Sequence, residues 1–236
     1  MGNSYYSMQR RYFVGGKSFL RKQQIKAVSK AYLAMWIKKL SLLLLGTYLL
    51  AFGIAMIVRA NIGADPWTTF MIGWHKFSGL TIGEVNQIFA LVILTINYLT
   101  DKKKVGIGSI LNVILIGPFI DVSISILSLP FDLLWGKMLF VGIGTAIESF
   151  GVALYVSASA GAGPIDGLTL ILSKKTKTSI KMVRIIMDII ALAMGWLLGA
   201  TVGIGTIIGS AIEGPFIEFF LNTYGKNISQ WVKSTQ

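Results

Sequence analysis

Uncharged apolar runs long enough to cross a lipid bilayer recur along this chain. The first, SLLLLGTYLLAFGIAMIV, occupies residues 41–58, and runs such as IFALVILTINYL and IIALAMGWLLGA follow it. A transmembrane helix needs about 20 mostly apolar residues, so each run is a candidate span or part of one. Only 14% of the 236 residues are charged, whereas about 25% is usual in soluble domains. These features predict an all-α polytopic membrane protein rather than a β-barrel, whose strands would alternate apolar and polar residues.

Positive charge is concentrated before the first span. Residues 1–39 contain nine Lys or Arg residues and no acid, and Asp65 is the first acid in the chain. The positive-inside rule predicts that this segment is cytoplasmic, and we expect it to contact anionic lipid headgroups of the bilayer. A nucleic-acid partner is not expected, although a basic segment can also indicate one. The first apolar run begins too late for a secretory signal peptide, which favours an inner or plasma membrane location.

Two blocks of sequence are repeated about 98 residues apart. The line GIAMIVRANIGADPW begins at Gly53, and GVALYVSASAGAGPIDG begins at Gly151 with matching alanines, glycines and proline. A second block, VGIGSILNVILIGPFID from Val105, matches VGIGTIIGSAIEGPFIE from Val202. Two blocks in the same order and at nearly the same spacing predict an internal two-fold repeat, which is common among transporter folds.

Each predicted half has three full spans and one short apolar piece. The predicted spans are 41–58, 81–99 and 105–121 in the first half, and 138–157, 180–199 and 202–221 in the second. The short pieces, 66–77 and 164–172, begin at Pro66 and Pro164, and proline suits the first turn of a helix. We therefore predict one re-entrant or broken helix per half, which membranes tolerate where protein or water satisfies the backbone.

An odd number of spans per half predicts that the second half is inverted relative to the first. The basic clusters at 102–104 and 174–184 then lie inside together with both termini, as the positive-inside rule requires. The alternative has eight full spans and parallel halves, and it places residues 102–104 outside. The predicted organisation is a basic cytoplasmic segment 1–39, a first repeat 40–128, an external linker 129–137, a second repeat 138–222 and a cytoplasmic tail 223–236.

The two repeated segments that begin at Gly53 and Gly151, each containing glycines and a proline, are the predicted substrate site. In an inverted repeat they come from opposite faces and meet near the bilayer midplane, where transporters of this kind bind substrate. Helix N-termini at that depth present free N–H groups and a partial positive charge. The alternative is that these small residues only permit close helix packing. The predicted substrate-binding residues are Asp65, Pro66, Trp67, Tyr155, Gly161, Gly163, Pro164 and Asp166.

Ionisable residues within membrane segments are costly and are therefore candidates for ion coupling. Glu148 and Glu213 have no basic residue near them in sequence, and such carboxyls can carry protons or form structural hydrogen bonds. Arg184 and Asp188 lie four residues apart and can pair on one helix face. Asp65 and Asp166 can cap the short helices, line the site or do both. The predicted ion-coupling residues are Glu148, Arg184, Asp188 and Glu213.

The sequence also resembles a known family. The span ending in GADPW, the line GVALYVSASAGAGPIDGL, and a stretch VRIIMDIIALAMGWLLGATVGIGT that closes on GPFI resemble the bacterial YczE/YyaS family of integral membrane proteins, related to the YitT membrane proteins. The resemblance covers roughly residues 40–222 and implies a bacterial membrane protein and transport. Members often read GAGPRDG where this chain has Ile165, so an anion contact by that arginine is absent here.

The predicted function is secondary transport or export of a small organic molecule, driven by an ion gradient. The chain has no P-loop, HExxH or GxSxG motif, no cysteine and one histidine, His75. We therefore expect no enzyme activity, no cofactor and no metal site. The alternative is a membrane scaffold, assembly or regulatory protein whose basic segment binds a partner. A homodimer is compatible with the sequence.

Overall fold

The computed structural model is helical throughout the residues that it describes, which are 3–102, 105–128, 132–158 and 163–234, with side chains described from residue 30 onwards except at 31 and 233. The helices in these ranges are Asn3–Ala60 (α1), Pro66–Ser78 (α2), Ile82–Thr100 (α3), Ile107–Ile126 (α4), Leu134–Ser157 (α5), Pro164–Thr176 (α6), Ile180–Leu197 (α7), Ile204–Phe220 (α8) and Lys226–Lys233 (α9). A π-helical turn, Leu221–Gly225, joins α8 to α9.

Five helical segments of the described chain are long and apolar enough to cross a membrane. They are Tyr32–Ala60 within α1, the helices α3, α4 and α5, and Ile204–Val232, which continues from α8 through α9. The sixth predicted span, α7, has 18 residues but carries Lys181, Arg184 and Asp188. The prediction of an all-helical chain with several apolar helices is therefore confirmed.

Large apolar side chains cover the outer faces of these helices, which is typical of contact with lipid and unusual over so wide an area in water. Exposed examples are Leu91, Ile96, Leu99, Ile114, Ile189, Ile190 and Ile207. A buried cluster of apolar side chains lies in the interior, where α1, α2, α3 and α4 pack together. It includes Ile54, Phe70, Val85, Ile116 and Ile120.

Helix α1 contains both the basic segment and the first span. Its 58 residues form one continuous helix, about 87 Å long at about 1.5 Å per residue, which exceeds the roughly 30 Å core of a bilayer. Near its middle, the Lys38 ammonium donates a 2.9 Å hydrogen bond to the Trp231 carbonyl and lies 4.5 Å from the centre of the Trp231 ring. The change of composition near residue 39 is therefore not a helix boundary, and α9 packs beside α1.

Helices α1 and α5 cross in antiparallel orientation through pairs of glycines. Gly46 lies against Gly151, and Gly53 lies against Gly144 and Glu148. A Cβ atom at Gly53 would approach the Gly144 carbonyl oxygen at 2.5 Å, so the crossing depends on the missing side chain. On the outer sides of this pair, α4 packs on α1 and α8 packs on α5.

Each of the two short helices packs against a longer helix from the other half of the chain. Helices α2 and α6 each have 13 residues and begin at a proline, and at about 20 Å each is too short to cross the bilayer core. Helix α2 packs on α7, where Gly73 meets Gly195, and α6 packs on α3, where Gly167 meets Asn97. This arrangement brings the starts of both short helices into the interior.

Helices α3 and α4 are tightly packed, whereas α7 and α8 are separated by a groove. A Cβ atom at Gly117 would lie 2.5 Å from the Gly83 carbonyl oxygen, while a Cβ atom at Gly214 would meet no other atom within 4 Å. The α7–α8 groove has a volume of ≈ 620 Å³, and its lining includes Asp188 and Glu218. The repeated sequence did not predict this difference between the halves.

Candidate functional site

A cavity of ≈ 190 Å³ lies where the starts of α2 and α6 meet the surrounding spans. We call it the acidic cavity, because the described residues that line it include four acids and one base. The charged residues are Asp65, Glu148, Asp166, Glu213 and Arg184, and the aromatic residues are Trp67, Phe70, Phe89 and Tyr155.

Asp65 caps helix α2 and also faces the acidic cavity. Its Oδ1 atom accepts hydrogen bonds of 3.0 Å from the backbone N–H groups of Trp67 and Thr68. These bonds satisfy donors that have no partner within the helix, which is the usual role of an N-cap aspartate. Its Oδ2 atom is buried without a hydrogen-bond partner, and the residue is 4% exposed. One carboxylate therefore positions the helix and leaves a free oxygen at the cavity.

Glu148 projects from α5 into the acidic cavity. The residue is 6% exposed, and its Oε2 atom is buried without a hydrogen-bond partner. The charged groups that act on it most strongly are Asp65 and Glu213, which are both acidic. Burying an unpaired carboxylate charge is costly, so a proton or an external cation must neutralise it.

Arg184 is already paired with two carboxylates. Its Nε atom lies 3.1 Å from Asp188, as predicted from their spacing on α7, and its Nη1 atom lies 3.3 Å from Asp166 of α6. The Trp67 indole N–H donates a 2.8 Å hydrogen bond to Asp188. This network joins α2, α6 and α7, and it uses the positive charge of the cavity to balance Asp166 and Asp188 rather than Glu148.

Glu213 lies between the acidic cavity and the α7–α8 groove. It lines both, as do Arg184 and Ile217, so the two spaces adjoin. The Ser149 hydroxyl donates a 3.3 Å hydrogen bond to the backbone carbonyl of Glu213 and fixes α8 against α5. A molecule or ion in either space can therefore contact the half-buried Glu213 side chain.

The start of α6 is held differently from that of α2. Gly163 occupies the N-cap position without a side-chain hydrogen bond, and Asp166 binds Arg184 instead of capping the helix. The Asn97 side-chain amide donates a 2.7 Å hydrogen bond to the Pro164 carbonyl, while its own oxygen is buried without a partner. Asn97 therefore anchors α6 to α3.

Most of the predicted site residues meet in these two adjoining spaces. Pro66 and Asp188 line the groove, and Gly161 lies outside the described residues. The acidic cavity is lined by Asp65, Trp67, Tyr155, Gly163, Pro164 and Asp166 from the predicted substrate site and by Glu148, Arg184 and Glu213 from the predicted coupling set. Their roles in binding and coupling stay predictions. Across the described ranges, no group of three or more His, Cys, Asp or Glu side chains is arranged to hold a metal ion.

Sequence reasoning missed several residues of the cavity wall. Asn86 and Asn112 are amides within apolar spans, and such polar residues between membrane helices are a usable signal. Phe70 and Phe89 carried no signal, because aromatic residues are common in spans and only the tertiary structure brings these two rings together.

Comparison with known proteins identifies the family. Residues 37–222 match a family of unknown function, DUF6198. An uncharacterized protein of Haemophilus influenzae is 32% identical over 201 residues, which cover 84% of this chain and 91% of that protein. The uncharacterized membrane protein YczE of Bacillus subtilis is 32% identical over 177 residues, covering 75% of this chain and 82% of YczE. YyaS of the same organism is 25% identical over 179 residues, covering 75% of this chain and 89% of YyaS.

No solved structure matches the chain. The family match extends over both predicted halves, and one relative is named as a membrane protein. The resemblance noted from the sequence motifs is thereby confirmed, and the apolar helices agree with it. The chain belongs to this family of YczE- and YyaS-like proteins and is an integral membrane protein.

Proposed function

We propose that this protein is a secondary transporter that moves a small organic molecule across the cell membrane, driven by an ion gradient. The observation that carries the proposal is the acidic cavity, where Asp65 and Glu148 each present a buried oxygen without a partner. Buried polar atoms are nearly always hydrogen-bonded in proteins that need them only for structure. Carboxyls that are free to take up a proton or a ligand are what a coupled transporter requires.

The proposal includes an inverted repeat, and the α1–α5 crossing supports it. A shift of 98 residues relates Gly46 to Gly144 and Gly53 to Gly151. The contact between Gly46 and Gly151 therefore has an equivalent between Gly144 and Gly53, and both contacts occur. Equivalent helices that cross antiparallel and exchange equivalent contacts are expected of two halves related by an axis in the membrane plane.

The contacts of the short helices support the same relation. A shift of 98 residues relates Thr69 to Gly167 and Asn97 to Gly195. Gly195 of α7 lies against Thr69 of α2, and Gly167 of α6 lies against Asn97 of α3. Each short helix thus uses the equivalent position to contact the second predicted span of the other half.

The difference between the halves supports alternating access. The packed α3–α4 pair and the separated α7–α8 pair are equivalent in the repeat, and an inverted transporter alternates by exchanging such arrangements. In the proposed topology both termini are cytoplasmic, and the contact of Lys38 with Trp231 supports their lying on one side. The α7–α8 groove then opens towards the cytoplasm of a bacterial cell, and the basic part of α1 contacts anionic lipids of that face.

Transport can be tested with purified protein in liposomes. The liposomes are loaded with the small-molecule extract of the cells that express the protein, and a pH gradient is imposed. We expect at least one compound to leave in a gradient-dependent way, and Glu148→Gln to stop its movement. Glu84→Gln is the matched control, because Glu84 acts in the capping box of α3, where glutamine also works.

Two results would overturn the proposal. One is that no compound moves under gradients of either sign, with protons or with sodium. The other concerns cells in which deletion of the gene has a measurable effect on growth. There, the Glu148→Gln variant restores growth fully, while the variant that lacks residues 1–35 does not restore it. The second result would favour the scaffold or regulatory alternative, for which the long extension of α1 would provide the partner-binding surface.

A further inference from the structure

We infer that the acidic cavity binds a small lipophilic cation, a monocation with an aromatic or branched apolar group beside its charge. This inference deepens the proposed function by naming the substrate class, and it depends on that function for translocation but not for binding.

The balance of charge in the cavity selects a cation. Arg184 is paired with Asp166 and Asp188. The three carboxyls that remain, Asp65, Glu148 and Glu213, have no positive side chain within ion-pair distance among the described residues. An anionic substrate would add like charge to this cluster, whereas a cation supplies the charge that the cluster lacks.

Two atoms mark where the positive charge would lie. Asp65 Oδ2 and Glu148 Oε2 are both buried and both lack a hydrogen-bond partner. The two residues line the same cavity. A positive centre bound in this cavity would supply a charge that neither carboxyl finds among the described side chains.

The wall around these atoms suits an apolar body. The rings of Phe70 and Phe89 meet edge to face at 4.6 Å between centroids, and Trp67 lies 6.1 Å from Phe70. Aromatic faces attract cations and most strongly when both are desolvated. The same rings, with Tyr155 on the α5 side, provide the apolar contact that holds the rest of the molecule.

The size of the cavity limits the ligand to one ring or its equivalent. Its volume is ≈ 190 Å³, which is below the roughly 300–1,000 Å³ usual for drug-sized ligands. Benzyltrimethylammonium is a suitable probe, since it joins one phenyl ring to a quaternary nitrogen whose charge does not change with pH. Neopentylbenzene has nearly the same shape without the charge and is the matched neutral compound.

Binding to the full-length protein in detergent micelles tests the inference by isothermal titration. We expect saturable binding of benzyltrimethylammonium at pH 8 and about tenfold or more weaker binding of neopentylbenzene. Glu148→Gln should weaken the binding of the cation by about tenfold or more, whereas Glu84→Gln should leave it unchanged. Should Glu148→Gln fail to fold, Asp65→Asn provides the same test, because asparagine also caps helices.

Binding should weaken as the pH falls, because protonation neutralises the carboxyls that hold the cation. The titratable or charged groups that line the cavity with Glu148 are Tyr155 from its own helix, Asp65 from the α1–α2 connection, Asp166 from α6, Arg184 from α7 and Glu213 from α8. The affinity of the Glu148→Gln variant for benzyltrimethylammonium should change less with pH than that of the unmodified protein.

The outcomes separate this inference from the proposed function. Equal affinity for the charged and neutral probes, or unchanged affinity in Glu148→Gln, overturns the cation site even if the liposome assay detects transport of another compound. Binding that has the expected charge and pH dependence upholds the site. If such binding occurs and neither this cation nor any compound of the cell extract crosses a liposome membrane under a gradient, transport is overturned and the cation site stands.

Discussion

The Thr81 hydroxyl donates a 2.6 Å hydrogen bond to the Asp121 carboxylate and joins the start of α3 to α4. The repeat relates this pair to Ser179 and Glu218. Both hydroxyls also cap their helices: Thr81 accepts a 3.1 Å hydrogen bond from the Glu84 backbone N–H, and Ser179 accepts a 3.2 Å hydrogen bond from the Met182 backbone N–H. The difference is in the carboxylate, since Glu218 lines the α7–α8 groove. The first pair thus connects α3 to α4, whereas the groove lies beside Glu218 of the second pair. A switch between the two states of a transporter would exchange these two arrangements.

Disulfide cross-linking can detect this exchange, because the chain contains no cysteine. In the structure the positions of the pair Thr81→Cys/Asp121→Cys are adjacent, so we expect this pair to cross-link rapidly with a mild oxidant. The pair Ser179→Cys/Glu218→Cys should cross-link more slowly, as the opposite state is visited, and should then stop transport. Non-reducing electrophoresis measures both yields.

The matched control for the cross-linking is Ser179→Cys/Asp132→Cys, which should not react in either state of the proposed topology. Alternating access is contradicted if the Ser179/Glu218 pair never forms a disulfide in membranes, with or without a gradient. It is equally contradicted if the Thr81/Asp121 disulfide leaves transport intact.

The α1–α5 crossing should be intolerant of a single methyl group. Gly53→Ala would place Cβ 2.5 Å from the Gly144 carbonyl oxygen, and overpacking of this kind costs about 1–3 kcal/mol of stability. Gly142→Ala is the matched control on α5, where Cβ would meet no other atom within 4 Å. We expect a lower thermal midpoint by circular dichroism for Gly53→Ala alone. Equal midpoints for the two variants would refute the close approach of the helices.

The spans and short helices could be predicted because their signals are local. Apolar runs mark the spans, and the prolines that follow glycines mark the starts of α2 and α6 at Pro66 and Pro164. The compositional boundary near residue 39 lies within the continuous helix α1. Composition reports the surroundings that a segment prefers, and a charged helix can continue into an apolar one without interruption.

The site could be predicted only in part. Asp65 and Glu148 stand out because acids are rare in membrane segments, and both line the acidic cavity. Phe70 and Phe89 could not be identified, since their proximity depends on how α2 packs on α3. The α7–α8 groove was equally hidden, because matched sequences give no reason for the two halves to pack differently.

Two substitutions at Asp65 should separate its two roles. Asp65→Asn keeps an oxygen that can accept from the Trp67 and Thr68 N–H groups but removes the charge. We expect nearly unchanged stability and about tenfold weaker binding of benzyltrimethylammonium. Asp65→Ala removes the cap as well and should cost about 1 kcal/mol of stability. Thermal unfolding and titration of both variants measure the difference, and full binding by Asp65→Asn would contradict a role for its charge.

The inverted arrangement predicts which loops face the outside of the cell. Lys103→Cys, between α3 and α4, should be protected from an impermeant thiol reagent on intact cells, and Asp132→Cys, between α4 and α5, should be labelled. Both positions should react after the cells are permeabilised, which shows that each thiol is accessible. If the thiol at position 103 is labelled and the thiol at position 132 is protected, all eight long and short segments span the membrane and the halves are parallel. The contacts that Gly46 and Gly53 make with α5 would then need another explanation, because parallel halves require α1 and α5 to run in the same direction.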